Sequence, residues 1–339
     1  MGLDLGNIVR ATPKRIEDFR GKAVAIDAFN TLYQFLAIIR QPDGTPLMDT
    51  RGRVTSHLSG LLYRTSNLVQ MGVSPAFVFD GEPPKLKSRT IKARAEVKKR
   101  AQMEWQEALE EGDMARARSK AMQTSRLTIE MVAQSKRLIE LMGLPSVQAP
   151  GEGEAQASVM AAKGDVFAAA SQDYDSLLFG APALIRNLTV TGRRKLPRKN
   201  VYVDIEPEQL DLGATLSALG VTREQLVGMG ILIGTDFNEG IRGVGPKKAL
   251  SIMRECGTLE KATQKLDVQI ENVEEIVRLF VHPAITSNYN LQWRECDIEG
   301  IKGMLCGEHG FSEERVGAAL EKMAEAAKMR KQRSLDQWF

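Results

Sequence analysis

Two short, partly β-branched apolar runs each carry a carboxylate near their end: Lys22 to Phe29, with Asp27, and Pro75 to Gly81, with Asp80. Runs of this length predict buried strands. Between them, Leu32 to Ile39 and Ser56 to Met71 read as helices, separated by a Pro- and Gly-broken loop from Gln41 to Pro46. The order strand, helix, helix, strand predicts an α/β fold with a mostly parallel central sheet. The sheet pattern resumes at Gly164 to Ala170, followed by Ala183 to Val190 and Val201 to Ile205. From about Pro207 the chain turns helical. Thr222 and Gln225 stand at capping-box spacing before a helix through Ile233, and a last helix runs from about Glu313 to Gln332.

Residues 85–142 lack any strand signal and are rich in helix formers. Thr124 to Met142 repeats apolar residues at helical spacing (Leu127, Met131, Leu138, Met142) and is closed by Gly143 and Pro145. Lys87 to Asp113 has charge on nearly every face, which predicts an exposed, mobile helical insertion that the core cannot bury. The expected organisation is therefore 1–84, the N-terminal part of the core; 85–142, the helical insertion; 143–330, the rest of the core with C-terminal helices; and 331–339, a tail.

Composition narrows the class. With 339 residues, 43% of them hydrophobic, the chain can bury a large core and is not a disordered polymer. No apolar run approaches the roughly 20 residues that a bilayer demands, and the amino terminus lacks the apolar region of a secretory signal, so an intracellular protein without membrane contact is expected. Three cysteines (Cys256, Cys296, Cys306) form no Cys-x-x-Cys pair and read as reduced packing residues. Only three histidines are present, too few for histidine-driven acid/base or metal chemistry.

Net charge is only +3, but the charge is segregated. Residues 85–100 hold eight Lys or Arg against one acid, residues 101–113 hold five acids and no base, and Arg186 to Lys199 holds six Lys or Arg and no acid. One such run marks a solvated face; two in a nearly balanced chain are the electrostatic footprint of polyphosphate binding.

The acids supply the candidate chemistry. Asp27, Asp80, the doublet Glu152 and Glu154, and the doublet Asp173 and Asp175 follow strands or open helices, and Asp236 is a further member. A single aspartate after a strand is most often a turn former or a helix cap. Doublets exceed what a cap needs, and in an open parallel sheet side chains from separate strand ends converge on one place. Carboxylates gathered there repel one another unless cations are bound, and an all-oxygen donor set selects Mg²⁺ or Mn²⁺. The matching reaction is phosphodiester hydrolysis with two divalent ions, which needs no His or Ser nucleophile. Lys87 and Arg94, two helical turns apart on one face, would clamp the scissile phosphate.

Two further features point to DNA and to a partner. Arg242, Gly243, Gly245, Lys247 and Lys248 surround Pro246, a favoured first helical residue, so backbone N–H groups and two lysines at a helix start predict a sequence-independent grip on a duplex backbone. The tail ends in adjacent aromatics, Trp338 and Phe339, which read as anchors for a hydrophobic pocket on a partner.

Together these residues closely resemble the flap endonucleases, the structure-specific 5′ nuclease family, over essentially the whole chain. The resemblance is carried by Val-Ala-Ile-Asp27-Ala-Phe-Asn-Thr-Leu-Tyr33, Val-Phe-Asp80-Gly-Glu-Pro-Pro-Lys-Leu-Lys87, Ala-Pro-Gly-Glu152-Gly-Glu154, Ser-Gln-Asp173-Tyr-Asp175 and Gly-Thr-Asp236-Phe-Asn-Glu-Gly-Ile-Arg-Gly-Val-Gly-Pro. It implies a PIN-like nuclease core whose seven metal-organising carboxylates match Asp27, Asp80, Glu152, Glu154, Asp173, Asp175 and Asp236, with two Mg²⁺ (Mn²⁺ as substitute). It implies a helical arch carrying Lys87 and Arg94, and a helix-turn-helix type hairpin holding duplex DNA with a bound K⁺, assisted by a basic loop with Arg193, Arg194 and Lys195. Tyr33 matches an aromatic that stacks near the scissile nucleotide, and Gly2 a processed amino terminus beside the metals. Gln332, Leu335, Trp338 and Phe339 are similar to the box that binds the sliding clamp (PCNA). The implied activity is 5′-flap endonuclease, with 5′–3′ exonuclease activity beside it, on branched DNA in Okazaki fragment maturation and repair. The implied form is a monomer of archaeal type in the cytoplasm with the nucleoid, or in the nucleus if eukaryotic. A PIN-type ribonuclease would share the carboxylates but not the hairpin and clamp box, and a silent clamp-bound scaffold would have lost acids.

Overall fold

A computed structural model describes residues 3–190, 192–195 and 202–336. Nine strands occur among them: β1 (Thr12–Pro13), β2 (Ala23–Asp27), β3 (Ser74–Phe79), β4 (Ser146–Gln148), β5 (Ala168–Ala170), β6 (Ala183–Arg186), β7 (Gly192–Lys195), β8 (Tyr202–Ile205) and β9 (Glu208–Asp211). Seven form the central sheet in the order β1-β9-β6-β5-β2-β3-β4. From β6 to β4 neighbouring strands are parallel, while β9 joins β6 and β1 antiparallel. The α/β class with a mostly parallel sheet stands.

The near-continuous apolar character of the inner strands follows from burial on both faces. Side chains alternate between the two layers. Val24 and Ile26, Phe77 and Phe79, and Ala168 and Ala170 enter one core with the helices Ser56–Gln70 and Glu313–Asp336. Ala25, Val78 and Ala169 enter the other, against the helix Gly153–Ala162. That helix presents Ala157 and Ala161 to the sheet, and small side chains on both surfaces let its start sit close over the strand ends. A third core packs Leu184 and Leu210 against the helix Arg223–Ile233.

Several elements differ from the sequence reading. β2 ends at Asp27, so Ala28 and Phe29 belong to the following helix, Ala28–Ile38. The strands at 164–170 and 183–190 shrink to β5 and β6. β1, β4, β7 and β9 were not expected, β7 putting Arg193, Arg194 and Lys195 on a strand where a basic loop was expected, and the region after Pro207 opens with a strand before the first helix. Tyr202–Ile205 does not extend the main sheet; it pairs with Gly192–Lys195 in a separate antiparallel hairpin. Residues 85–142 form a 3-10 turn, Lys85–Lys87, and three α-helices, Ser88–Glu110, Met114–Met122 and Ile129–Leu141. The first two α-helices pack on each other, and only Ala101 and Ala108 of the first are buried, in keeping with its charge on every face. The last helix reaches Asp336. Among the described residues no single helix is long and apolar enough to cross a membrane; the one pair that passes together, Leu212–Leu219 with Arg223–Ile233, is bent by 78°.

Candidate active site

The carboxyl ends of β2, β3 and β5 lie side by side, and the loop after β4 leads into the helix Gly153–Ala162 beside them. This is where a parallel sheet collects ligand-binding side chains. Asp27 closes β2 and caps its own helix, accepting from the Asn30 backbone N–H at 3.0 Å. Asp80 follows β3 and accepts from the Gly153 N–H at 2.7 Å. A Cβ at Gly153 would stand 2.7 Å from Asp80 Oδ1, so only glycine lets the carboxylate reach that helix start. Glu152 and Glu154 flank Gly153, and Glu154 accepts from the Ser171 hydroxyl. Asp173 and Asp175 follow β5, and Asp175 begins the short helix Asp175–Leu178. That helix packs on Arg223–Ile233, whose following loop carries Asp236.

All seven acids therefore share one site, and their mutual repulsion registers in their proton affinities. Burial, then Asp80, holds the Asp27 carboxyl well above its usual range. Burial, then Glu152, pushes Asp80 up to about 6. Burial and Asp173 raise Glu154 well above its usual value, and raise Asp175 to about 7. Burial and Asp236 raise Asp173. Charge of one sign is being held together at a cost that a cation relieves.

Lys87 and Arg94 stand within this cluster. Lys87 Nζ lies 2.5 Å from Glu152 Oε2 and 3.5 Å from Asp236 Oδ2. Arg94 Nη2 lies 2.5 Å from Asp236 Oδ1, and the Thr90 hydroxyl donates to the Asp236 carbonyl at 2.8 Å. Positions 87, 90 and 94 share one helical face, which docks the start of the helix Ser88–Glu110 on the site. Burial by itself would lower the Lys87 pKa, but Glu152 and Asp236 raise it overall.

Among the described residues no group of three or more His, Cys, Asp or Glu side chains stands as a ready metal cage. Among the described residues Lys87 and Arg94 form ion pairs with these acids, engaging Glu152 and Asp236. The residues nevertheless fit hard divalent ions: the donors are all oxygen, several are forced toward protonation, and Asp175 Oδ1 is buried without any hydrogen-bond partner.

The other expected positions lie around this centre. Tyr33 is 36% exposed on the helix Ala28–Ile38, with Lys98 Nζ of the helix Ser88–Glu110 4.6 Å above its ring. Gly2 lies outside the described residues; the backbone of its neighbour Leu3 hydrogen-bonds Asp175. In the hairpin, Gly245 caps the helix Pro246–Cys256 with Pro246 in its first turn. Gly243 has φ +80°, which favours glycine, and a Cβ on Gly243 or Gly245 would meet nothing within 4 Å. Arg242, Lys247 and Lys248 are exposed around that open face, while Val244 is buried and pins it. Arg193, Arg194 and Lys195 lie on β7, away from this turn in sequence. Gln332 and Leu335 fall on the last helix; Trp338 and Phe339 lie outside the described residues.

Three contacting residues were passed over in the sequence. Asn30 Nδ2 donates to Asp173 Oδ2 at 2.9 Å. Arg186, at the end of β6, donates to the Gln172 carbonyl at 3.1 Å and to the Tyr174 hydroxyl at 2.6 Å, bracketing Asp173. Thr90 is the third. The available signal was position: Asn30 is a polar residue three after a strand-end acid, and Arg186 closes a strand.

The chain matches the XPG N-terminal domain over residues 5–101 and the XPG I-region over residues 143–236. It is 52% identical to flap endonuclease 1 of Pyrococcus furiosus, over 100% of this chain and 99% of that one. It is 53% identical to flap endonuclease 1 of Methanothrix thermoacetophila, over 100% of both. Its structure superposes on flap endonuclease-1 from Methanococcus jannaschii with a TM-score of 0.78 and 40% identity, covering 97% of this chain and 100% of the other. With such identity sustained from end to end, the chain belongs to the flap endonuclease family of structure-specific, metal-dependent DNA nucleases.

Proposed function

We propose that the protein cleaves 5′ flaps from branched DNA at the seven-carboxylate site, in Okazaki fragment maturation and repair. The observation that carries this reading is the meeting of Asp27, Asp80, Glu154, Asp173 and Asp175 at adjacent strand ends, under a basic helix that delivers Lys87 and Arg94 to the same place.

The carboxylates would hold divalent ions, Mg²⁺ in the cell, which supply an activated water and neutralise the departing oxygen. The chain's own residues do the positioning. Lys87 and Arg94 exchange Glu152 and Asp236 for the oxygens of the scissile phosphate, so two cations already gathered at the site meet the charge that develops there. The forked guanidinium of Arg94 suits a phosphate better than a point charge does. Tyr33, exposed at the edge of the site, offers a face for an unpaired base. The amides around Gly243 and Gly245, with Lys247 and Lys248, hold duplex backbone without reading sequence. Gln332, Leu335, Trp338 and Phe339 dock the enzyme to a sliding clamp.

A labelled 5′-flap duplex and an RNA hairpin, each incubated with Mg²⁺ or with chelator, test the reading. Cleavage of the flap in Mg²⁺ alone is expected. Cleavage confined to the RNA would point to a ribonuclease, and cleavage of neither to a scaffold.

A further inference from the structure

We propose that Asn30 and Gln34 form a two-amide relay that orients Asp173 within the carboxylate site, making Asn30 a positioning residue for the cation held there. The proposal rests on the reading above that this site binds divalent ions.

The helix Ala28–Ile38 buries Ala28, Leu32, Phe35 and Leu36 in the core. Asn30 and Gln34 are one turn apart, so they line the same flank of that helix, and Asn30 faces the acids. Asn30 touches two of them: its backbone N–H donates to Asp27 Oδ1 at 3.0 Å, and its side-chain Nδ2 donates to Asp173 Oδ2 at 2.9 Å. Asp27 ends β2 and Asp173 follows β5, so this one residue ties together carboxylates from two adjacent strands. The Gln34 Nε2 group in turn donates to Asn30 Oδ1. Donation therefore runs in one direction, from Gln34 to Asn30 to Asp173.

The direction follows from donor and acceptor chemistry. An ionised carboxylate only accepts, so Asn30 must offer Nδ2 and is left with Oδ1 facing Gln34. A side chain that donates at position 34 locks that orientation; one that only accepts reverses it. The relay also leaves Gln34 Oε1 buried without a partner, a penalty that a methionine of similar size would not incur. The amide at 34 is thus poorly explained by packing and well explained by orientation. Groups that hydrogen-bond metal-ligating side chains from behind typically change metal affinity about 10- to 100-fold when removed.

The test is Mn²⁺ titration of the DNA-free protein by calorimetry, with melting temperature in chelator recorded for each variant. Asn30→Leu is expected to weaken Mn²⁺ binding about 10-fold or more, while its chelator melting temperature stays well above the temperature of the titration. Gln34→Met is expected to weaken it less than Gln34→Glu does, because the glutamate turns the Asn30 amide around and presents its oxygen to Asp173. Asp173→Asn serves as the control. If Asp173→Asn loses Mn²⁺ binding while Asn30→Leu and Gln34→Glu bind as the parent does, the relay is overturned and the cation reading stands. If Asp173→Asn also binds as the parent does, the cation reading fails and the relay fails with it.

Discussion

Asp27 shows why single acids in this sequence are ambiguous. It caps a helix, as a strand-end aspartate ordinarily does, and it also stands among six other carboxylates. Cap and site are not alternatives here. The doublets were the legible part, because one cap needs one acid. Asn30 was not legible, because its amide acquires a role only when β5 pairs beside β2, a contact 143 residues away along the chain. Lys87 was legible as a cation at helical spacing from Arg94, but its engagement with Glu152 and Asp236 was not. Lys87→Ala is expected to slow flap cleavage about 100-fold or more, the scale of removing one preorganised donor from a transition state. DNA affinity should fall modestly, since many other phosphate contacts remain. Single-turnover rates and equilibrium binding, measured on the same substrate, separate the two effects.

At the scale of elements, local chemistry was readable where it is self-contained. Thr222 and Gln225 form both bonds of a capping box, and Pro246 starts its helix. Elements defined by a neighbour were not. β4 and β9 are three and four residues long and carry Ser146, Gln148, Glu208 and Asp211; their pairing, not their composition, makes them strands. Tyr202–Ile205 has strand composition, but composition does not say which sheet it joins. The helices Ser88–Glu110 and Met114–Met122 pack on each other and bury only alanines, Ala101, Ala108, Ala117 and Ala121, which a search for large apolar residues passes over. The proposed clamp docking falls to Gln332, Leu335, Trp338 and Phe339. Truncation after Gln332 is expected to leave unstimulated flap cleavage unchanged and to abolish stimulation by the clamp. Stimulation that survives the truncation would place the docking surface elsewhere.

Across the whole molecule, the fold concentrates negative charge at one end of the sheet, and stability should report it. Burial raises Asp80 to about 6 and Asp175 to about 7, against an ordinary 3.8, so without metal the folded state binds more protons than the unfolded state across that interval. These groups make the metal-free protein less stable as pH rises from about 4 to about 7. His57, lowered to about 4 by burial, acts in the opposite sense, but equally with and without metal. The melting-temperature difference between Mg²⁺ and chelator should therefore widen as pH rises from about 5 to about 8, reaching the equivalent of about 2.7 kcal/mol per site at a hundredfold excess over Kd. A difference that is flat with pH would mean the raised carboxylates do not hold the metal. The most direct test of the account is Asp173→Asn, assayed for flap cleavage in Mg²⁺ and for flap binding in parallel. Cleavage should fall about 1,000-fold or more while binding stays within about twofold of the parent. Cleavage at the parent rate would contradict a hydrolytic centre built from these seven acids.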